Sequence, residues 1–338
     1  MLIRFFAALF ALLGFLTGLK TPEAARCAPV VTGSFLQCWY CAGWDDARWA
    51  QEAAYMKEAG LEYLVLQTTA SQNENGEWTV YYPSNIADFG APGQTDVIGS
   101  VLKHCKAQDI KVFIGLADYA GWWGKGAFSQ DYFTVCALMA EMQREIYAAY
   151  RPVYGDTLYG WYFPPEIDNV PTMKLSVTRI AEGLNLVLDT ASELDGSMPV
   201  MLSPYFSETY AVPSVLATLP MWHTFFETAR FRQGDIFAPQ DAVGAGWTQE
   251  KHLEKVWQMY RAAVDACDKG VVLWANCENF TSTDAGNVPA DMERFARQLK
   301  LAAKYTDNII SFSMNHFYSP ATDAEAYARY LDYLAALG

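Results

Sequence analysis

Residues 160–169 read GWYFPPEIDN, an apolar run that stops at two prolines and is followed at once by two acids. A proline cannot donate a hydrogen bond to a parallel ladder, so a buried strand through Leu158–Phe163 must end before Pro164 and continue as a loop. The stretch therefore predicts that Glu166 lies just past the carboxyl end of a strand.

The same succession of a short β-rich apolar run and a longer segment of helical period recurs along the chain. The eight predicted strands are Gly33–Trp39, Glu62–Thr68, Lys111–Ala117, Leu158–Phe163, Pro199–Tyr205, Asp235–Gln240, Gly270–Asn276 and Ile309–Asn315. Eight strand–helix units without a Gly-, Ser- or Pro-rich linker predict an α/β fold, a single (β/α)8 TIM barrel over residues 27–338. A doubly wound open sheet is the alternative, and it is disfavoured because no GxGxxG or GxxxxGK[ST] motif opens a helix.

One connection is longer than the rest. Residues 71–84, SQNENGEWTVYYPS, are too long for a minimal loop and contain alternating apolar positions. We expect them to form a small hairpin or lid on the face where the strands end.

The composition excludes some classes of partner. The 338 residues are 52% hydrophobic and carry a formal net charge of -14, so the chain can bury a large core and would repel a phosphate backbone. Nucleic acid is therefore not expected as a partner. Aromatic residues make up 15% of the chain, with 11 Trp and 20 Tyr, which suits a site that stacks on sugar rings.

Residues 1–26 begin MLIRFFAALFALLGFLTGLK, with one cation ahead of an apolar run. This pattern predicts a secretory signal peptide, because the apolar run is shorter than the roughly 20 residues of a membrane span. The protein is expected to be exported, either secreted or held at the cell surface or in the periplasm. An uncleaved N-terminal anchor is the alternative, and it would be the one contact with a membrane.

The seven cysteines do not indicate a metal or redox centre. Their odd number and irregular spacing are not those of a disulfide framework, and the pair Cys38 and Cys41 in CWYC has no second CxxC. No His, Asp and Glu trio has ligand spacing either. We therefore expect neither a metal nor a cofactor.

Active sites of (β/α)8 barrels lie where the strands end, and polar or aromatic residues follow nearly every predicted strand here. Two carboxylates stand across the barrel mouth from one another, Glu166 after the fourth strand and Glu278 after the seventh, and these are the predicted catalytic residues. The predicted substrate-binding residues are Gln67, Asp118, Tyr119, Trp122, Tyr205, Gln240, Asp241, Asn276, Asn315 and His316.

Two facing acids in an aromatic cleft are what hydrolysis of a glycosidic bond requires. One protonates the leaving oxygen and the other acts as nucleophile or base. If Glu166 is the acid, its pKa must be raised while Glu278 stays ionised.

Acids after strands four and seven resemble the arrangement of the large clan of retaining glycoside hydrolases. GWYFPPEID followed by DIFAPQDAVGAG resembles a bacterial family of secreted, glycoside-hydrolase-like barrels catalogued as a domain of unknown function. The resemblance implies that Glu166 is the acid/base and Glu278 the nucleophile. Where the clan carries Asn before its acid/base, this chain has Pro165, so the candidates for the contact to the sugar 2-hydroxyl are Gln67, Asn276 and Asn315.

The sequence thus predicts a glycoside hydrolase, retaining by the resemblance, that cleaves a polysaccharide or glycan. A carbohydrate-binding barrel without catalysis is the alternative, but it has no need of two facing acids. A lyase barrel would need a Schiff-base Lys or a metal at a strand end, and none of the eight predicted strand ends carries a Lys.

Overall fold

Short barrel strands that are mostly buried form the centre of the computed structural model, which describes residues 22, 24–90, 95–169, 174–208 and 215–338. The described strands are β1 (Gly33–Leu36), β2 (Tyr63–Leu66), β3 (Ala70–Gln72), β4 (Trp78–Val80), β5 (Lys111–Gly115), β6 (Ala117–Tyr119), β7 (Leu158–Phe163), β8 (Val200–Leu202), β9 (Ile236–Phe237), β10 (Val272–Glu278), β11 (Phe280–Thr283), β12 (Gly286–Pro289) and β13 (Asn308–Phe312). Eight of them, β1, β2, β5, β7, β8, β9, β10 and β13, pair in parallel in this order, and β13 closes on β1.

Helices lie between successive barrel strands, because each parallel strand needs a crossover to return the chain to the same end of the sheet. The described helices are α1 (Cys38–Cys41), α2 (Asp46–Glu58), α3 (Val97–Ala107), α4 (Ala120–Lys125), α5 (Tyr132–Tyr154), α6 (Lys174–Leu194), α7 (Leu219–Thr228), α8 (Leu253–Asp265), α9 (Met292–Tyr305), α10 (Met314–Phe317) and α11 (Pro320–Ala335). The prediction of a (β/α)8 barrel is confirmed. None of the helices in the described ranges has the length and apolar content of a membrane span.

Seven of the eight predicted strands end at a different residue in the structure, and three of these differences bear on the site. The first strand stops at Leu36, and CWYC is the short helix α1 and not strand. The eighth strand ends at Phe312, and the following residues form α10. The seventh strand begins and ends two residues later than predicted, so Glu278 is its last residue.

Alternate residues of the strands fill the barrel interior, as the period of two requires. The described side chains there form a cluster of their own, separate from the larger core between strands and helices: Phe35, Val65, Phe113, Tyr162, Met201, Ile236, Ala238, Trp274 and Ile310. On β10 the inward positions run through Val272 and Trp274, so the same parity points Asn276 and Glu278 inward above them.

Two small sheets flank the mouth. The predicted hairpin at residues 71–84 is present: β3 and β4 pair antiparallel, and β6 joins them in a three-stranded sheet. A second hairpin, β11 and β12, follows β10 and was not predicted.

The residues just before β1 pack against the end of the barrel opposite the mouth. The Arg26 N–H donates to the Ala303 carbonyl at 2.8 Å, and the Arg26 guanidinium pairs with Asp307, which precedes β13, at 2.6 Å. The Tyr333 hydroxyl donates to the Pro29 carbonyl at 2.7 Å. The predicted signal or anchor covers residues 1–26. Residues 1–21 and residue 23 of this segment lie outside the described residues.

Candidate active site

Glu278 is the innermost acid of the site. Its side chain is 3% exposed at the last position of β10, and the strand fixes it on the inward face. The loop after β9 wraps around it: the Ala245 N–H donates to Glu278 Oε2 at 2.7 Å. Gly244 must be glycine, because a Cβ there would lie 2.4 Å from the Phe280 carbonyl oxygen and 3.0 Å from Glu278 Oε2.

Glu166 follows β7 by three residues, after the two prolines. Its backbone is fixed from the side, because the Trp122 indole N–H donates to the Glu166 carbonyl at 3.1 Å. The next residue, Ile167, accepts a hydrogen bond from the Tyr205 N–H at 2.9 Å. The prolines end the strand and these two contacts hold the turn that carries the acid.

The pKa of Glu166 is raised to about 7, chiefly because burial penalises the charged form. The negative charge of Asp118 adds to the rise, and a hydrogen bond from the Gln240 side chain opposes it. The carboxyl can therefore hold a proton near neutral pH, which is what a general acid requires.

The pKa of Glu278 is raised as well, contrary to the expectation that this acid stays ionised. Burial is the largest cause, followed by the charges of Asp241 and Glu166, and the backbone N–H groups of Ala245 and Gly244 oppose the rise. Because Glu166 and Glu278 lie close enough to repel each other, the first proton leaves the pair more readily than the second.

A substitution at Glu166 should change the pH dependence of stability. Because its folded pKa of about 7 lies above the 4.5 of an exposed glutamate, Glu166 favours the folded state at low pH and loses that contribution as the pH rises through about 7. The unfolding free energy of Glu166→Gln should therefore increase relative to that of wild type as the pH rises from 4.5 to about 8. Urea unfolding at several pH values measures this. The exposed Glu74→Gln serves as the control, and a Glu166→Gln difference that does not change with pH would contradict the raised pKa.

Several predicted binding residues do line the mouth or its rim. Gln67 continues the inward parity of Tyr63 and Val65 on β2. The Gln240 side chain hydrogen-bonds Glu166 and also donates to the Ser203 carbonyl at 3.1 Å. Burial raises the pKa of Asp118, which accepts a 2.8 Å hydrogen bond from the Tyr119 N–H.

Asn276 lies directly below Glu278 on the same face of β10. Its Nδ2 donates to the Ser203 hydroxyl at 3.1 Å. Its Oδ1 is buried and has no hydrogen-bond partner among the described residues.

Three predicted binding residues lie elsewhere, in the layer between strands and helices. Tyr119 is buried in the apolar core, Asp241 accepts a hydrogen bond from Gln298 of α9, and Asn315 donates to Glu52 of α2 at 2.9 Å. These are corrections. Asn315 lies on α10 because the eighth strand ends at Phe312, and for Tyr119 and Asp241 the cause is a change of facing. Successive residues past a strand point to opposite faces, so a slip of one position turns a mouth residue into a core residue.

Asp241 nevertheless contacts the site from behind. Its Oδ1 accepts the backbone N–H of Glu278 at 3.2 Å. Asp241 thus orients the strand end that carries the acid and does not face the cleft.

His316 lies on α10 among aromatic rings at the other side of the mouth. Its ring centroid is 4.1 Å from that of Tyr40 and 5.9 Å from those of Trp39 and Phe312. Burial lowers its pKa to about 4, so the imidazole is neutral at neutral pH. Among the described residues, no group of three His, Cys, Asp or Glu side chains has the arrangement of a metal site.

Beside Glu166 lies a cavity of about 660 Å³, here called the aromatic pocket. Its aromatic lining is Trp122, Trp123, Phe128, Tyr205 and Trp247. Tyr205 and Trp247 pack with ring centroids 4.7 Å apart. Trp247 and Phe128 were missed by the sequence analysis; the signal available for Trp247 was its position in a glycine-containing loop, residues 244–248, after a predicted strand.

The family described as "Domain of unknown function (DUF4434)" matches residues 31–324 by its sequence profile. No curated protein matches the chain. Among solved structures, a protein from Bacteroides thetaiotaomicron VPI-5482 whose proposed activity is that of an α-L-fucosidase is similar at 19% identity and a TM-score of 0.78, covering 94% of this chain and 98% of that one.

Two further structures share the fold. The glycoside hydrolase domain of PgaB (BpsB) from Bordetella bronchiseptica is 13% identical with a TM-score of 0.58, covering 89% of this chain and 98% of that one. The hyperthermostable endo-1,4-β-D-mannanase from Thermotoga petrophila RKU-1 is 13% identical with a TM-score of 0.53, covering 84% and 87%. The barrel is thus similar to those of glycoside hydrolases.

Proposed function

The chain belongs to the family described as a domain of unknown function (DUF4434), and from the chemistry of its barrel mouth we propose that it is a retaining glycoside hydrolase. The observation that carries the proposal is the pair Glu166 and Glu278, a partly buried and a buried carboxyl at the ends of the fourth and seventh barrel strands, in which the charge of Glu166 raises the pKa of Glu278. Such a pair loses one proton more easily than two, so it provides one acid and one carboxylate together.

The environments of the two acids favour a division of roles. Glu278 receives backbone N–H groups from the loop after β9, which stabilise a carboxylate, so it is the nucleophile of the proposal. Glu166 follows the fourth strand, and its pKa of about 7 allows it to hold a proton near neutral pH, so it is the acid of the proposal.

In the first step, Glu166 gives its proton to the glycosidic oxygen while Glu278 forms a bond to the anomeric carbon and the leaving group departs. In the second step, Glu166 takes a proton from water, and the water oxygen replaces Glu278 at the same carbon. Two inversions leave the configuration of that carbon unchanged.

The test is a survey of plant and bacterial polysaccharides and aryl glycosides with wild-type protein. We expect release of a sugar whose anomeric configuration, followed by proton NMR during the first turnovers, equals that of the substrate. Release with the opposite configuration would indicate an inverting enzyme, in which a water lies between more widely spaced acids.

A carbohydrate-binding barrel without catalysis is the second candidate. It is favoured by one observation: the charge of the buried Asp241 raises the pKa of Glu278, whereas a nucleophile must be ionised. Saturable binding of a saccharide, measured calorimetrically, together with no hydrolysis across the survey would favour this candidate.

A further inference from the structure

The aromatic pocket is placed asymmetrically with respect to the two acids. Among the described residues that line it are Glu166 and its neighbours Ile167 and Asp168, and Glu278 is not one of them. The pocket therefore opens from the side of the mouth where the proposed general acid lies. Glu166 follows β7, whereas the proposed nucleophile Glu278 ends β10, three strands further around the barrel.

This asymmetry identifies which part of a substrate the pocket would receive. A general acid must reach the oxygen of the leaving group, whereas the nucleophile must reach the anomeric carbon of the sugar that stays bound. Space beyond Glu166, away from Glu278, is consequently the space into which the leaving group extends.

The lining of the pocket indicates the chemistry of that leaving group. Five aromatic rings offer flat apolar faces, which pack against the C–H faces of sugar rings. The acidic side chains at the pocket are Glu166 and Asp168, and the one cation in its described lining is the exposed Lys125. With a net charge of -14 on the chain, an anionic leaving group would be repelled, so a neutral sugar is favoured.

The size of the pocket indicates more than one ring. Its volume of about 660 Å³ lies within the range of about 300–1,000 Å³ that accommodates ligands of drug size. A single monosaccharide would leave much of it unfilled, and a stretch of roughly two sugar rings fits it better.

We propose that the aromatic pocket binds the leaving group, a neutral oligosaccharide segment of about two rings. The proposal rests on the hydrolase function proposed above. The bond between the anomeric carbon and the leaving oxygen breaks as Glu278 forms a bond to that carbon, and the proton of Glu166 goes to the leaving oxygen. Water later replaces Glu278 at the anomeric carbon and returns a proton to Glu166.

The first experiment compares substrates with long and short leaving groups. Trp247→Ala and Trp123→Ala remove side chains that are 38% and 58% exposed, so the variants should fold. We expect each to lower kcat/KM for a neutral hexasaccharide about 10-fold more than kcat/KM for the 2,4-dinitrophenyl glycoside of the same sugar. Val153→Ala removes an apolar side chain that is 60% exposed in the last turn of α5, and it is the matched control.

The second experiment identifies the leaving segment directly. The leaving group keeps the reducing end, so a hexasaccharide labelled there with ¹⁸O should release a labelled disaccharide or longer product, detected by mass spectrometry. A labelled monosaccharide as the main product would overturn the size inference.

The outcomes separate the two proposals. Equal losses on both substrates in Trp247→Ala and Trp123→Ala, or no loss on either, would overturn the pocket assignment while hydrolysis by wild type keeps the hydrolase function. If wild type cleaves no hexasaccharide of glucose, mannose, xylose or galactose and no aryl glycoside, both proposals are overturned.

Discussion

Glu278→Gln is expected to lower the kcat of the proposed hydrolysis by about 10⁴-fold or more, because the variant has no carboxylate to form a bond with the anomeric carbon. Glutamine has nearly the same shape, and its amide oxygen can still accept the 2.7 Å hydrogen bond from the Ala245 N–H. The fold and saccharide binding should therefore persist. Stopped assays with the best substrate of the survey measure the loss, and calorimetry measures binding.

The exposed Glu74→Gln in the β3–β4 hairpin region is the control for a change of one negative charge. A smaller replacement, Glu278→Ala, adds a diagnostic result: azide can enter the space of the lost side chain and form a glycosyl azide of inverted configuration. Hydrolysis by Glu278→Gln at near wild-type rates would remove Glu278 from the mechanism. Asp241 could not take its place without movement, since it faces α9.

Glu166→Gln is expected to lower turnover of an oligosaccharide by about 10²–10⁴-fold, the usual contribution of a general acid. The size of the loss should depend on the leaving group. A 2,4-dinitrophenol leaving group needs no proton, so its release from the substrate should be nearly unaffected, and the glycosyl-enzyme should accumulate. A rapid burst of dinitrophenol, followed by slow turnover that azide accelerates, would be the kinetic evidence.

The pH profile provides an independent measurement on the same variant. In wild type, kcat/KM should fall as the pH rises past about 7, because the acid that must be protonated has its pKa there. Glu166→Gln has no such group, so this descending limb should be absent. An unchanged limb would mean that another residue is the acid.

The fold was predictable because the pattern that determines it repeats. Each barrel strand is a short apolar run, and Pro164 and Pro165 stop β7 with chemistry that is visible in the letters alone. The positions of Glu166 and Glu278 followed from the strand order, since every parallel strand ends on the same face.

The remaining site residues were harder to predict, because a shift of one residue decides whether a side chain points into the mouth or into the core. Tyr119 and Asp241 come after strands whose ends the sequence fixes only to within a residue or two, and one residue decides between the mouth and the core. Trp247 belongs to a loop without a repeating pattern, so only tertiary packing against Tyr205 brings it to the pocket. The raised pKa of Glu278 depends on Asp241 lying behind it, a contact between the loop after β9 and the end of β10.

The contact of Arg26 with Ala303 and Asp307 places the start of the described chain at the end of the barrel opposite the mouth. A tag attached through the preceding residues and captured on a sensor surface would orient the barrel with its cleft away from that surface. A long polysaccharide could then lie across the exposed end, parallel to the support, without colliding with it. Immobilisation by the amino terminus is therefore the orientation of choice for surface-based measurements of polymer binding.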